Sequence, residues 1–217
     1  MCIRDRIFSV LTGENGAVSL PMTTENFTTV LTGRVYQAIM ARSLYVSMLV
    51  TLTTVLLAYP IAYFVSFHVR PERKALWLFL ITIPFWTSYI IRVSLWRTIL
   101  GYNGIIDSTL IGLGVTSEPL NILSYGVVSI IITLAHAYAP FAVLPIFVSL
   151  EKVDRALLEA GQDLGESRWT TFLRVTLPLS MPGVIAAVLI VFIPTVGDYV
   201  TPELIGGGKV PMIANMI

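Results

Sequence analysis

Four long stretches of this chain carry no Asp, Glu, Lys or Arg, and each is close to the length of a membrane-crossing helix. They run over 43–67, 75–91, 124–150 and 178–197. Roughly 20 consecutive apolar residues in helical form cross about 30 Å of hydrocarbon. A soluble domain rarely holds several such blocks, because a helix that is apolar all round must be buried on every face. The composition agrees: 55% of residues are hydrophobic, only 12% are charged, and the mean hydropathy is +0.80. Soluble domains carry about twice that charged fraction. The expected fold class is an all-α membrane protein, a multi-span transmembrane helix bundle whose first partner is the lipid bilayer.

Charge and cysteine usage exclude several functions. Fourteen basic and thirteen acidic residues leave a net charge of +1, with no basic stripe for nucleic acid and no acidic tail. The lone Cys2 can form neither an internal disulfide nor a cysteine metal cluster, so no metal site is expected. Met1–Val10 lacks the apolar core of a signal peptide.

Residues 1–42 read as a mixed, loop-like N-terminal segment, broken by Gly13, Asn15, Gly16 and Pro21. The membrane domain is expected over 43–217. Pro60 falls inside the first span, Pro84 interrupts the second, and Pro140 and Pro145 kink the third. The segment 92–124 is too broken to cross and reads as irregular or re-entrant. Basic residues orient the bundle. Arg70, Arg73 and Lys74 mark 68–74 as cytoplasmic, as do Lys152, Arg155, Arg168 and Arg174 for 151–177, while 101–123 holds no Lys or Arg. Arg34 and Arg42 count against this orientation but are outnumbered. Residues 1–42 then lie on the periplasmic side.

The cytoplasmic segment 151–177 is the most informative. Leu150, Val153, Leu157, Leu158 and Leu164 follow helical spacing, opposite Lys152, Arg155, Glu159, Gln162, Asp163 and Glu166. Gly165 stands where a helix would end, and Ser167 can cap a second short helix bearing Trp169, Phe172 and Leu173 on one side. Such a helix pair can lie on the bilayer surface or dock into a partner's groove.

The spacing favours docking. Glu159-Ala160-Gly161, three residues, Gly165, nine residues, then Val175-Thr176-Leu177-Pro178 resembles the EAA loop of binding-protein-dependent ABC permeases, E-A-A-x3-G-x9-I-x-L-P. Gly161 and Val175 depart from that pattern within their size class. The stretches 84–108, 144–154 and 192–208 look like spermidine/putrescine-type permeases, and the likeness extends over roughly residues 27–217. The resemblance implies an ABC importer permease fold in the bacterial inner membrane, paired with a second permease subunit and seated on two cytoplasmic ATPase subunits. A periplasmic substrate-binding protein would deliver the cargo. It implies no catalytic residue and no cofactor in this chain, ATP being bound by the ATPase subunit. Glu159, Ala160, Gly161, Asp163, Leu164 and Gly165 inherit the ATPase-coupling role. It also implies a further span before residue 27 and another after Ile217, so the chain is expected to be a piece of a longer protein.

Other features have competing meanings. Gly206-Gly207-Gly208-Lys209 is not a phosphate loop, because Glu203 and Val210 occupy places that need Gly and Ser/Thr. His136 can be a neutral histidine buried against a neighbouring helix or a substrate contact. Arg92 and Arg97 read first as interfacial anchors beside Trp86 and Tyr89. The candidate substrate pathway comprises Asp198, Tyr199, Glu203, Trp86 and Arg92, since two carboxylates beside an aromatic ring can hold an ammonium group. A polyamine is the leading cargo. Amino-acid-derived or anionic solutes remain alternatives, as does a secondary transporter, although no internal repeat or intramembrane acid supports the latter.

Overall fold

The computed structural model describes residues 11–14, 17–22, 24–120, 126–163, 165–208 and 210–215. Among the described residues, three helices are long and apolar enough to cross a membrane: α2 (Arg34–Phe67), α6 (Val127–Leu150) and a continuous rod over Arg168–Val196. The rod joins α8 (Arg168–Thr171), a π-helical turn (Phe172–Thr176) and α9 (Leu177–Val196). A fourth crossing is available only from a broken pair, Pro71–Trp86 and Tyr89–Gly112, bent by 85°.

Helices α2, α6 and α9 pack as a three-helix core. Val46, Val50, Ala58, Ala62 and Val65 of α2 meet Ile130, Leu134, Val143, Ile146 and Leu150 of α6 in one buried cluster, which Ala187 and Val191 of α9 complete. Small residues set the closest approach. A Cβ on Gly183 would stand 2.5 Å from both the Pro145 carbonyl oxygen and Ser149 Cβ, so α9 touches the α6 backbone there. The outward faces are apolar, with Leu56 63% and Ile193 66% exposed, as a lipid-facing surface requires. Three buried hydroxyls of α2 are satisfied within the helix: Ser43, Thr51 and Thr54 donate to the carbonyls of Ile39, Ser47 and Val50.

The second span is interrupted at Pro84, as expected, but the break is sharper and the helices run further than 75–91. Helix α3 (Pro71–Thr82) passes into a 3-10 turn (Ile83–Trp86), and the chain restarts as α4 (Tyr89–Leu100) and α5 (Ile105–Gly112). Pro84 removes a backbone donor, and Thr87 and Ser88 are extended, so the axis turns there. The segment 92–112, expected to be irregular or re-entrant, is largely helical, and the 85° bend keeps a re-entrant course open to it.

Two other boundaries move. The helix of the first span begins at Arg34, not Ser43, and follows α1 (Glu25–Thr32). Ahead of it, β1 (Leu11–Glu14) and β2 (Ala17–Met22) form an antiparallel hairpin where a loop was expected, with Glu14 opposite Ala17. The fourth span starts as helix at Arg168 rather than Pro178. Pro178 has no N–H to offer the Arg174 carbonyl, and the π turn with its Leu177 N–H to Phe172 O bond carries the helix through this point. A short helix α10 (Val200–Ile205) follows α9 and packs on α4 and α6.

Candidate functional site

Helix α7 (Arg155–Asp163) begins where Asp154 Oδ1 accepts the Ala156 N–H at 3.0 Å, a side-chain cap. Its end is set by glycine. Gly165 has φ +84°, and the Glu166 N–H reaches back to the Gly161 carbonyl at 3.1 Å. That six-to-one bond across a left-handed residue is the Schellman closure of a helix. Ser167 then caps α8, its Oγ accepting the Thr170 N–H at 3.2 Å, as the sequence led us to expect. Gly161 faces Thr171 of α8, where a Cβ would come within 3.3 Å of the threonine side chain, so α7 folds back closely on α8.

One side of this element is anchored. Val153 is buried, Leu158 half-buried, and Phe172 meets Tyr59 and Tyr63 of α2 edge-on at 5.8 Å each. Trp169 stacks on Phe172 at 5.4 Å. Tyr63, Phe67, His68, Leu158, Arg168 and Thr171 help line a cavity of about 230 Å³ between the end of α2 and α7–α8. The other side is bare. Glu159, Ala160, Asp163 and Gly165 are exposed, and Leu157 is 49% exposed despite its place in the apolar stripe. Leu164 lies outside the described residues. The structure thus brings Glu159, Ala160, Gly161, Asp163 and Gly165 together on one short hairpin of helices. The sequence places Trp169 and Phe172 on one side of the second helix but not their partners Tyr59 and Tyr63, and it does not signal Glu151 as the inner support, because Ser66 and Lys74 are distant in sequence.

The candidate pathway residues are dispersed differently. Asp198 is buried, with Oδ2 accepting the Tyr89 hydroxyl at 2.9 Å and Oδ1 accepting the Val200 N–H at 3.1 Å. Tyr89 also shares a hydrogen bond with Thr201 at 2.7 Å. Glu203 is exposed and accepts from Asn215 Nδ2 at 3.5 Å, while the same amide donates to the Tyr199 carbonyl. Trp86 points out of the bundle, 80% exposed. Arg92 corrects the interfacial-anchor expectation: it is 7% exposed and donates to the Thr87 carbonyl at 3.0 Å and the Ala137 carbonyl at 3.3 Å. Bent away by the break, α4 turns this side chain into the bundle, where backbone acceptors replace water. His136 bonds to the neighbouring helix, accepting from Trp96 Nε1 at 3.2 Å, but it is exposed rather than buried.

Comparison with known proteins places this geometry. The family described as binding-protein-dependent transport system inner membrane component matches residues 27–217. The chain is 39% identical over 199 residues to the spermidine/putrescine transport system permease protein PotB of Haemophilus influenzae, covering 92% of this chain and 68% of that protein. It is 37% identical over 210 residues to the Escherichia coli protein of that name, covering 96% and 75%. Among solved structures, a bacterial alginate ABC transporter in complex with an alginate-bound periplasmic protein superposes with a TM-score of 0.64 at 19% identity, over 90% of this chain and 70% of that one; at that identity the likeness concerns the fold. The chain belongs to the binding-protein-dependent transport system inner membrane components and is an ABC importer permease of the inner membrane.

Proposed function

We propose that this permease moves a polyamine such as spermidine or putrescine across the inner membrane, driven by ATPase subunits that seat on α7. The observation that carries the drive is the bare side of α7. Its end is fixed by a glycine turn and its back by an aromatic anchor, yet Leu157, Glu159, Ala160 and Asp163 face outward, exposed among the described residues. An exposed amphipathic helix held rigidly at both ends suits docking into a partner's groove. ATP is bound and hydrolysed by that partner, and this chain contributes no catalytic group.

Force applied at α7–α8 enters a continuous helix, Arg168–Val196, without an intervening loop. The Tyr59 hydroxyl and Ser180 Oγ, 2.8 Å apart, join the inner part of that rod to α2. A second permease subunit completes the pathway, and a periplasmic binding protein supplies cargo from the side of α10. The cargo assignment rests on the likeness to spermidine/putrescine permeases. It is tested by uptake of labelled spermidine into proteoliposomes holding the whole transporter and its binding protein. ATP-dependent uptake is expected. Transport of another solute with no uptake of spermidine or putrescine would overturn the cargo.

A further inference from the structure

Four helices meet in one polar cluster beneath the bundle. Glu151, which ends α6, accepts the Ser66 hydroxyl at 2.6 Å and Lys74 Nζ at 2.6 and 2.8 Å. Ser66 lies in the last turn of α2 and Lys74 in the first turn of α3. Arg155, the first residue of α7, donates to the Ser66 carbonyl at 3.4 Å and sits 5.9 Å from the Phe67 ring centre. The carboxylate therefore touches α2 and α3 directly, and α7 through Ser66.

Helix α3 has no buried residue, so packing alone holds it weakly. The Lys74–Glu151 pair is one of two ion pairs among the described residues, and it is the one that fastens α3 to another helix. The Lys74 side chain is 14% exposed and that of Glu151 36%, so the pair is partly shielded from water. Beyond the break the span is held more firmly: Arg92 donates to the Ala137 carbonyl midway along α6, Trp96 to His136 of the same helix, and Tyr89 bonds Asp198 and Thr201. The loosely packed α3 thus hangs between a well-held α4 and its own Lys74–Glu151 contact.

We propose that Glu151 is a positioning residue of the transport cycle, carrying displacement of α7 to α3 so that the broken second span swings about its Arg92 contact. The inference rests on the docking of ATPase subunits at α7. Holding Lys74 at one point lets a small shift of α7 change the slope of α3, whereas an unheld α3 would stay behind.

The test uses the assembled transporter in proteoliposomes with its binding protein, carrying Glu151→Gln, Lys74→Gln, or the exchange Glu151→Lys with Lys74→Glu. Spermidine uptake and ATP hydrolysis are measured together, and retention of the ATPase subunits is scored in each preparation. Each single change is expected to lower uptake about tenfold while hydrolysis continues, so ATP consumed per solute rises about tenfold; the exchange recovers a large part of it. Unchanged ATP per solute in both single variants overturns the proposal. So does an equal fall of uptake and hydrolysis without recovery in the exchange, the mark of a purely structural role. If Glu151→Gln fails to accumulate, Lys74→Gln decides by the same ratio. Loss of the ATPase subunits from the wild-type preparation would instead contradict the docking itself.

Discussion

The Glu166 N–H donates to the Gly161 carbonyl at 3.1 Å, reaching back across Gly165, which alone of the three has a left-handed backbone at φ +84°. No atom lies within 4 Å of the position a Gly165 Cβ would take, so substitution there strains the backbone without a clash. A side chain in that conformation costs roughly 1–2 kcal/mol. Gly165→Leu is expected to loosen the α7–α8 turn and depress uptake at least severalfold, while the protein still inserts in the membrane. Transport assays on membranes with matched permease content check this.

Gly183 presents the opposite case. Its conformation is helical, but a Cβ would stand 2.5 Å from the Pro145 carbonyl and Ser149 Cβ. Gly183→Val must push α9 off α6, and overpacking of this kind costs about 1–3 kcal/mol. The detergent-solubilised transporter should unfold at a lower temperature than wild type. Gly197→Ala, whose added Cβ would stand 3.8 Å from the Pro194 carbonyl oxygen, should leave the midpoint nearly unchanged.

Glu151 gives a pH signature. Partial burial pushes its carboxyl up, but the hydrogen bonds from Lys74 and Ser66, with the charges of Lys74 and Arg155, outweigh this and hold it below the usual carboxylate range. A depressed acid stabilises the fold above its unfolded pKa, about 4.3, and loses that contribution as pH falls through the lower folded value. The stability difference between wild type and Glu151→Gln should be constant from pH 7 to about 5 and shrink below about 4. Thermal unfolding across that range in detergent measures it. A difference that grows on acidification would contradict the pairing.

Much of the bundle was legible because hydropathy reports what a helix is surrounded by. The centres of α2, α6 and α9 sit inside uncharged runs. Gly165 and Ser167 were legible too, because helix ends use local chemistry that leaves local signals. Direction was not. Nothing in a hydropathy window distinguishes a straight span from one bent by 85°, although Pro84 stood at the place. Arg92 is illegible for the same reason: beside Trp and Tyr it resembles an anchor, and only the bend turns it inward. Asn15-Gly16 reads equally as a loop breaker and as a hairpin signal, and the pairing of Glu14 with Ala17 agrees with the second reading. Glu151, Ser66 and Lys74 could not be linked from sequence, since their contact depends on where three helices end.

The orientation assigned from basic residues has a direct check. With Cys2 replaced by alanine, a cysteine at Arg73 should react with an impermeant maleimide only after permeabilisation, and one at Ser117 should react in intact cells. Both positions are exposed, so failure to label would not stem from burial. Reaction at position 73 in intact cells would invert the bundle and remove α7 from the cytoplasm.

The docking of ATPase subunits on α7 is tested most directly by crosslinking from Ala160, which is exposed at the centre of the bare side. With Ala160→Cys in the otherwise cysteine-free permease, a short bismaleimide should join the permease to an ATPase subunit bearing a cysteine in its membrane-facing groove. A cysteine at Ser117 should give no such product. A crosslink at 160 whose yield changes on ATP addition is the predicted result. Absence of any crosslink at 160, in a transporter that still carries out ATP-driven uptake, would contradict the account.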